Sequence, residues 1–183
     1  MFILSNLKLI ADAKIIIPNI SIKDDFSIKS DGKEVYFKVV GGHGPDSAYI
    51  HVPSEKIICT GDNLVECFPQ FPGDPDATLD VLNRWESLDI IKIIPGHGKI
   101  VGKEYITKVR SYFEGLIAVL ENLTLEKLSL KEVINHPNLP EYFGVHQTNW
   151  MKGLPNRRDE IENTIRVWYR FIKRKFKNLQ LAP

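Results

Sequence analysis

The chain has 183 residues, 43% hydrophobic and 26% charged, enough for one domain (1–183) with a substantial core. A formal net charge of +1 gives no basis for a nucleic-acid partner or an acidic membrane surface. Cys59 and Cys67 are the only cysteines, which excludes a disulfide framework and a four-cysteine zinc site and fits a reducing compartment.

The opening stretch MFILSNLKLIADAKIIIP is apolar, but it lacks a basic leader and is interrupted by Asn6, Lys8 and Asp12. It does not read as a signal peptide. No apolar run approaches the roughly 20 residues that span a bilayer. The expected address is therefore cytoplasmic, with no membrane partner.

Short strands dominate the first half. The run KIIIP over residues 14–18 reads as the first of them. Phe26 and Ile28 alternate with polar neighbours, Asp31-Gly32 is a hairpin turn signal, and residues 35–40 form the return strand. Residues 47–52 alternate again, with Ala48, Ile50 and Val52 on one face. Residues 53–55 turn the chain into a buried strand over 56–60 (KIICT). The whole is a meander carrying the loop GGHGPD between strands.

The period then changes. Asp74 followed by Pro75 is a helix N-cap with proline at the first helical position. Leu79, Leu82, Trp85 and Leu88 form the apolar stripe of that helix. Residues 90–94 form a short strand ended by Pro95-Gly96, so a helix links two strands in the α/β manner. Beyond Gly98 the chain reads as helical. Tyr105, Val109, Tyr112, Phe113, Leu116, Ile117 and Leu120 mark one helix, and Ser129 with Glu132 is a capping box. Asn156 caps a final long helix with the stripe Ile161, Ile165, Trp168, Ile172 and Phe176. The domain thus divides into a sheet-rich 1–98 and a helical 99–183, with no internal repeat.

Three strand-end loops each present a metal-ligand type: His43 in GGHGPDS, Asp62 in CTGDN and His97 in IIPGHG. Imidazole and carboxylate suit zinc and similar divalent ions. Neighbouring glycines let the backbone turn sharply, and strand ends hold such loops rigidly. Taken one at a time, each is more often an ordinary turn. The other candidates have plainer readings: His51 a surface strand residue, Cys59 a core residue, and His136 and His146 loop residues. Phe68, Pro69, Phe71 and Pro72, near Cys67, rim a pocket or pack a loop. Arg166, Arg170, Lys173, Arg174 and Lys177 form a solvated helix face.

In this order and context, the three loops resemble the metallo-β-lactamase superfamily over about residues 18–98. The resemblance implies a half or truncated αββα sandwich, a mixed β-sheet with C-terminal helices. It puts His43, Asp62 and His97 at the family's last three metal motifs, with Asp62 as the bridging carboxylate. It also implies zinc (or iron or manganese) and hydrolysis of a small ester, thioester or lactam-like molecule. The family's opening His-x-His-x-Asp-His motif is absent from these 183 residues: only 42 residues precede His43, and none is histidine. The metal is therefore expected to be weakly held or absent in this chain alone. The expected role is a truncated hydrolase, one half of a split one, or a catalytically degenerate relative serving as an interaction module. The inner sheet face, with Ile28, Ile50 and Ile58 as candidates, is expected to lack cover. A homodimer partner or a separate N-terminal-half polypeptide would supply it.

Overall fold

A computed structural model describes residues 14, 16–66, 73–140 and 157–180, with side chains of the last stretch described from 162 to 179. Five strands form one mixed sheet in sequence order: β1 (Phe26–Ser30), β2 (Lys33–Val39), β3 (Ala48–Val52), β4 (Ile57–Val65) and β5 (Lys92–His97). β1 to β4 pair antiparallel, and β5 joins β4 in parallel. The helices are α1 (Pro75–Ser87), α2 (Glu104–Leu125), α3 (Leu130–Ile134) and α4 (Arg157–Gln180).

Local chemistry fixes the joints. Asp31 and Gly32 both take positive φ (50° and 75°), the backbone that a tight two-residue hairpin demands. Pro53–Glu55 forms a single 3-10 turn leading into β4. A parallel neighbour needs a crossover, and α1 provides it. Asp74 caps α1 by accepting from the backbone N–H of Asp76 (2.8 Å) and Ala77 (3.2 Å). The capping box at α3 is complete: Ser129 N–H donates to Glu132 Oε2 (2.7 Å), and Glu132 N–H donates to Ser129 Oγ (3.4 Å).

The core lies between one sheet face and the helices. Tyr49, Ile58 and Ile93 project from β3, β4 and β5 onto Leu82, Trp85, Ile106 and Phe113. Tyr49 meets the Trp85 ring edge-on at 5.5 Å, and Phe113 meets Trp168 at 4.9 Å. α2 packs against both α1 and α4. Two polar tips are satisfied on the way: Trp168 Nε1 donates to Gly73 O (3.0 Å) and Tyr169 Oη donates to Leu128 O (2.6 Å). No described helix is long and apolar enough to cross a membrane.

Several expectations are corrected. Residues 16–18 of the KIIIP run form no strand, and Ile16 and Ile17 are 82% and 80% exposed. An apolar run without a neighbouring strand has no ladder to join. Ile58 does not face the uncovered side. It is fully buried under the helices, and its strand neighbours Ile57 and Cys59 point the other way. The buried stripe of α1 is Thr78, Val81, Leu82 and Trp85, rotated from the expected one, because Leu79 and Leu88 sit at its half-buried margins. Ile90 is buried just before β5, which begins at Lys92. Ile161, Asn156, Cys67, Phe68, Pro69, Phe71, Pro72 and His146 fall outside the described residues or side chains.

Candidate metal centre

β4 and β5 run parallel, so their C-terminal ends lie side by side. Cys59 pairs with Ile94, Gly61 with Pro95 and Val65 with His97, with irregular register between these pairs. The extra residues make β4 bulge where Asp62 sits, and a bulge re-aims the side chain it carries. Gly61 adopts the left-handed φ of +53° that the bend requires. Gly96 answers it across the gap. A Cβ at Gly96 would run into the Asp62 carboxylate and stand 2.6 Å from the Gly61 carbonyl carbon. The two loops can therefore close on each other only because residue 96 has no side chain.

Closure brings Asp62 Oδ1 to 3.4 Å from His97 Nε2, with both side chains about half exposed (46% and 48%). That distance is long for a good hydrogen bond. It matches another arrangement: two ligands each about 2.05 Å from a tetrahedral zinc stand about 3.3 Å apart. The pair fits a zinc in donor type and in spacing. It falls short in number, since a catalytic zinc uses three protein ligands. Among the described residues, no three His, Cys, Asp or Glu side chains gather as a metal group.

His43 occupies the neighbouring loop. Val40 and Gly41 N–H groups both donate to Ser47 O (2.9 and 3.1 Å), closing the loop at its base. Asn63, the residue after Asp62, ties it to β4: His43 N–H donates to Asn63 Oδ1 (2.6 Å), and Asn63 Nδ2 donates to Gly41 O (2.9 Å). Asn63 is only 2% exposed, and its two bonds to the loop are part-buried. The structure therefore anchors the His43 backbone one residue from Asp62, while the three candidate side chains do not form one cluster. Asn63 was not singled out from the sequence. The only signal was an amide at an apolar strand's end, directly after Gly-Asp.

Glu66 is a second residue missed by the sequence reading. Its N–H donates to His97 O (3.0 Å), and its Oε2 accepts from Lys99 N–H (3.3 Å), so it braces the PGHG loop from below. The remaining candidates stay apart from this centre. His51 pairs with Ile58 on the helix side of the sheet rather than lying on the surface. Burial, helped by Lys38, lowers its pKa below the usual imidazole value. Cys59 is half-buried and faces away from the core, with its thiol pKa raised by burial. His136 Nδ1 accepts from Asn138 N–H (3.3 Å), a loop role. Arg170, Lys173, Arg174 and Lys177 are exposed, as a solvated face should be.

No protein-family model and no curated protein matches the sequence. Solved structures do. The stereoselective inverting sec-alkylsulfatase Pisa1 from Pseudomonas sp. is similar at a TM-score of 0.58 and 18% identity, over 92% of this chain and 29% of that one. A double mutant of that sulfatase gives 0.59 and 18%, over 86% and 27%. A metallo-β-lactamase family protein from Thermus thermophilus gives 0.50 and 16%, over 67% and 49%. This chain thus spans between about a quarter and a half of the proteins it matches. What these likenesses establish is the fold: an α/β chain with a mixed sheet that covers part of a metallo-β-lactamase-type domain.

Proposed function

We propose that this chain supplies part of the active centre of a metallo-β-lactamase-like hydrolase. Asp62 and His97 would hold a divalent metal, zinc or else iron or manganese, with His43 docked beside them. The remaining ligands would come from outside the described residues. One observation carries this reading: the Asp62–His97 pair at 3.4 Å, presented half-exposed by two parallel strand ends. Strand ends of an α/β sheet are where ligands bind, and neither residue is needed for the core.

Zinc in such a centre would acidify a bound water to a pKa of about 7. The chain's own contribution is positional. The bulge at Gly61 and the missing side chain at Gly96 hold the two donors at ligand spacing, and Asn63 fixes the His43 loop. The proposed substrate is a small molecule with an ester, thioester or lactam bond. The alkylsulfatase likeness adds sulfate esters to the compounds to be tested. A cytoplasmic site of action fits the two cysteines.

A second reading is favoured by the donor count: a catalytically degenerate relative that serves as an interaction module. Zinc titration of the full chain by calorimetry separates the two. The first reading expects weak uptake that falls at least tenfold in both His97→Ala and Asp62→Asn. Uptake that is absent, or indifferent to both substitutions, would leave the module reading in its place.

A further inference from the structure

Two donors on separate strands keep a fixed spacing only if the strands are fastened where the donors sit, and at this point the ladder is broken. Gly61 pairs with Pro95, and Val65 pairs with His97. Between those pairs β4 carries Asp62, Asn63 and Leu64, while β5 carries only Gly96. Regular pairing therefore lapses at Asp62 and resumes only at His97, the last residue of β5. Among the described residues β5 is also the outer strand of the sheet. On its other side an isolated bridge joins Ile93 to Val101, near the start of the strand rather than its end. The end that carries His97 takes its strand pairing from β4 alone.

Glu66, directly after β4, supplies the fastening. Its N–H donates to His97 O (3.0 Å), and its Oε2 accepts from Lys99 N–H (3.3 Å). The side-chain bond is slightly long, and the negative charge of the acceptor strengthens it. The two bonds fall on either side of Gly98, so one residue grips the peptide groups before and after it. Gly98 is built to admit this grip. Its φ is +94°, and a Cβ there would stand 2.6 Å from Glu66 Cβ and 2.7 Å from Glu66 Oε2. The Glu66 side chain fills the space that any other residue at position 98 would claim.

We infer that Glu66 is the positioning residue of the candidate centre: it ties the His97 loop to the end of β4, four residues past Asp62, and so sets the separation of the two donors. This rests on the metal reading above. Glu66 is not itself assigned as a donor, because no three His, Cys, Asp or Glu side chains gather as a metal group among the described residues. It acts on His97 through the backbone. Accepting a backbone N–H needs an oxygen but no formal charge, so glutamine can stand in for it. Groups that orient metal ligands typically change metal affinity by about 10–100-fold when removed.

Glu66→Ala and Glu66→Gln in the full chain test this by zinc calorimetry and by amide hydrogen exchange of the zinc-free protein. Glu66→Ala is expected to weaken zinc uptake by about tenfold or more and to speed exchange of the Lys99 amide, while the amides of β2 and β3 keep their protection. Glu66→Gln is expected to stay close to wild type in both readouts. Where the wild type binds zinc, unchanged uptake in Glu66→Ala would overturn the inference. So would a Glu66→Gln protein that loses zinc as fully as Glu66→Ala while Lys99 stays protected, because the carboxylate would then be a metal donor. Faster exchange across the whole sheet in Glu66→Ala would also overturn it, by assigning Glu66 to general stability. A wild-type chain that takes up no zinc would sink the metal reading alone, and faster exchange confined to the His97 loop in Glu66→Ala would still support the fastening.

Discussion

Replacing Gly96 by alanine tests how the candidate centre is built. The new Cβ would overlap the Asp62 carboxylate and lie 2.6 Å from the Gly61 carbonyl carbon and 2.8 Å from Asp62 N. Side-chain Cβ atoms do not approach other atoms closer than 3.0 Å, and two of these neighbours are backbone in the bulge of β4, which cannot rotate aside. Overpacking of this kind costs about 1–3 kcal/mol. For a chain of this size, about 2 kcal/mol lowers Tm by roughly 4–8 °C. The displaced carboxylate also leaves His97, so zinc uptake should fall as it does in Asp62→Asn. Gly115→Ala is the control. It sits within α2 with nothing within 4 Å of its added Cβ, so the same chemical change should stabilise by up to about 1 kcal/mol. Opposite signs in two melting curves are the expected result. A Gly96→Ala protein with wild-type Tm and zinc uptake would refute the claim that close loop contact sets the ligand spacing.

Other outcomes follow from the same contacts. Asn63→Ala removes the part-buried bonds to the His43 N–H and the Gly41 carbonyl, so urea denaturation should show a loss of about 1–2 kcal/mol. Asp74→Ala removes the cap of α1 and should cost about 1 kcal/mol in the same assay. His51 has a lowered folded-state pKa, so the unfolded chain takes up its proton more readily. Stability should therefore decline as pH falls below the ordinary 6.5 toward the lowered folded value, and His51→Gln should flatten that part of a pH–stability curve. An unchanged slope in His51→Gln would assign the acid sensitivity to other groups.

Features set by short-range chemistry were legible in the sequence. The Asp31-Gly32 turn, the Asp74-Pro75 helix start and the Ser129–Glu132 box each appear where their residues place them. The helix between two strands was legible as α/β patterning, which the parallel pair β4–β5 realises; that Asp62 and His97 come to 3.4 Å at its end was implied only by the family resemblance. Features set by long-range packing were not. KIIIP has strand composition, but strand formation needs a neighbour to bond. In the buried run KIICT, apolar residues point to both faces, so alternation could not say that Ile58 faces the helices and Cys59 the open side. The bulge at Gly61 depends on register with β5, and the role of Asn63 depends on a loop 20 residues away. His43 was grouped with Asp62 and His97 on loop order alone. The structure brings its backbone to Asn63 and leaves the close side-chain pair to the other two.

The most direct test of the metal reading follows the imidazole nitrogens by long-range proton–nitrogen NMR while zinc is added. The Nε2 resonance of His97 should move with zinc, while those of His51 and His136 stay where they are. A His97 nitrogen unmoved at saturating zinc would contradict the account.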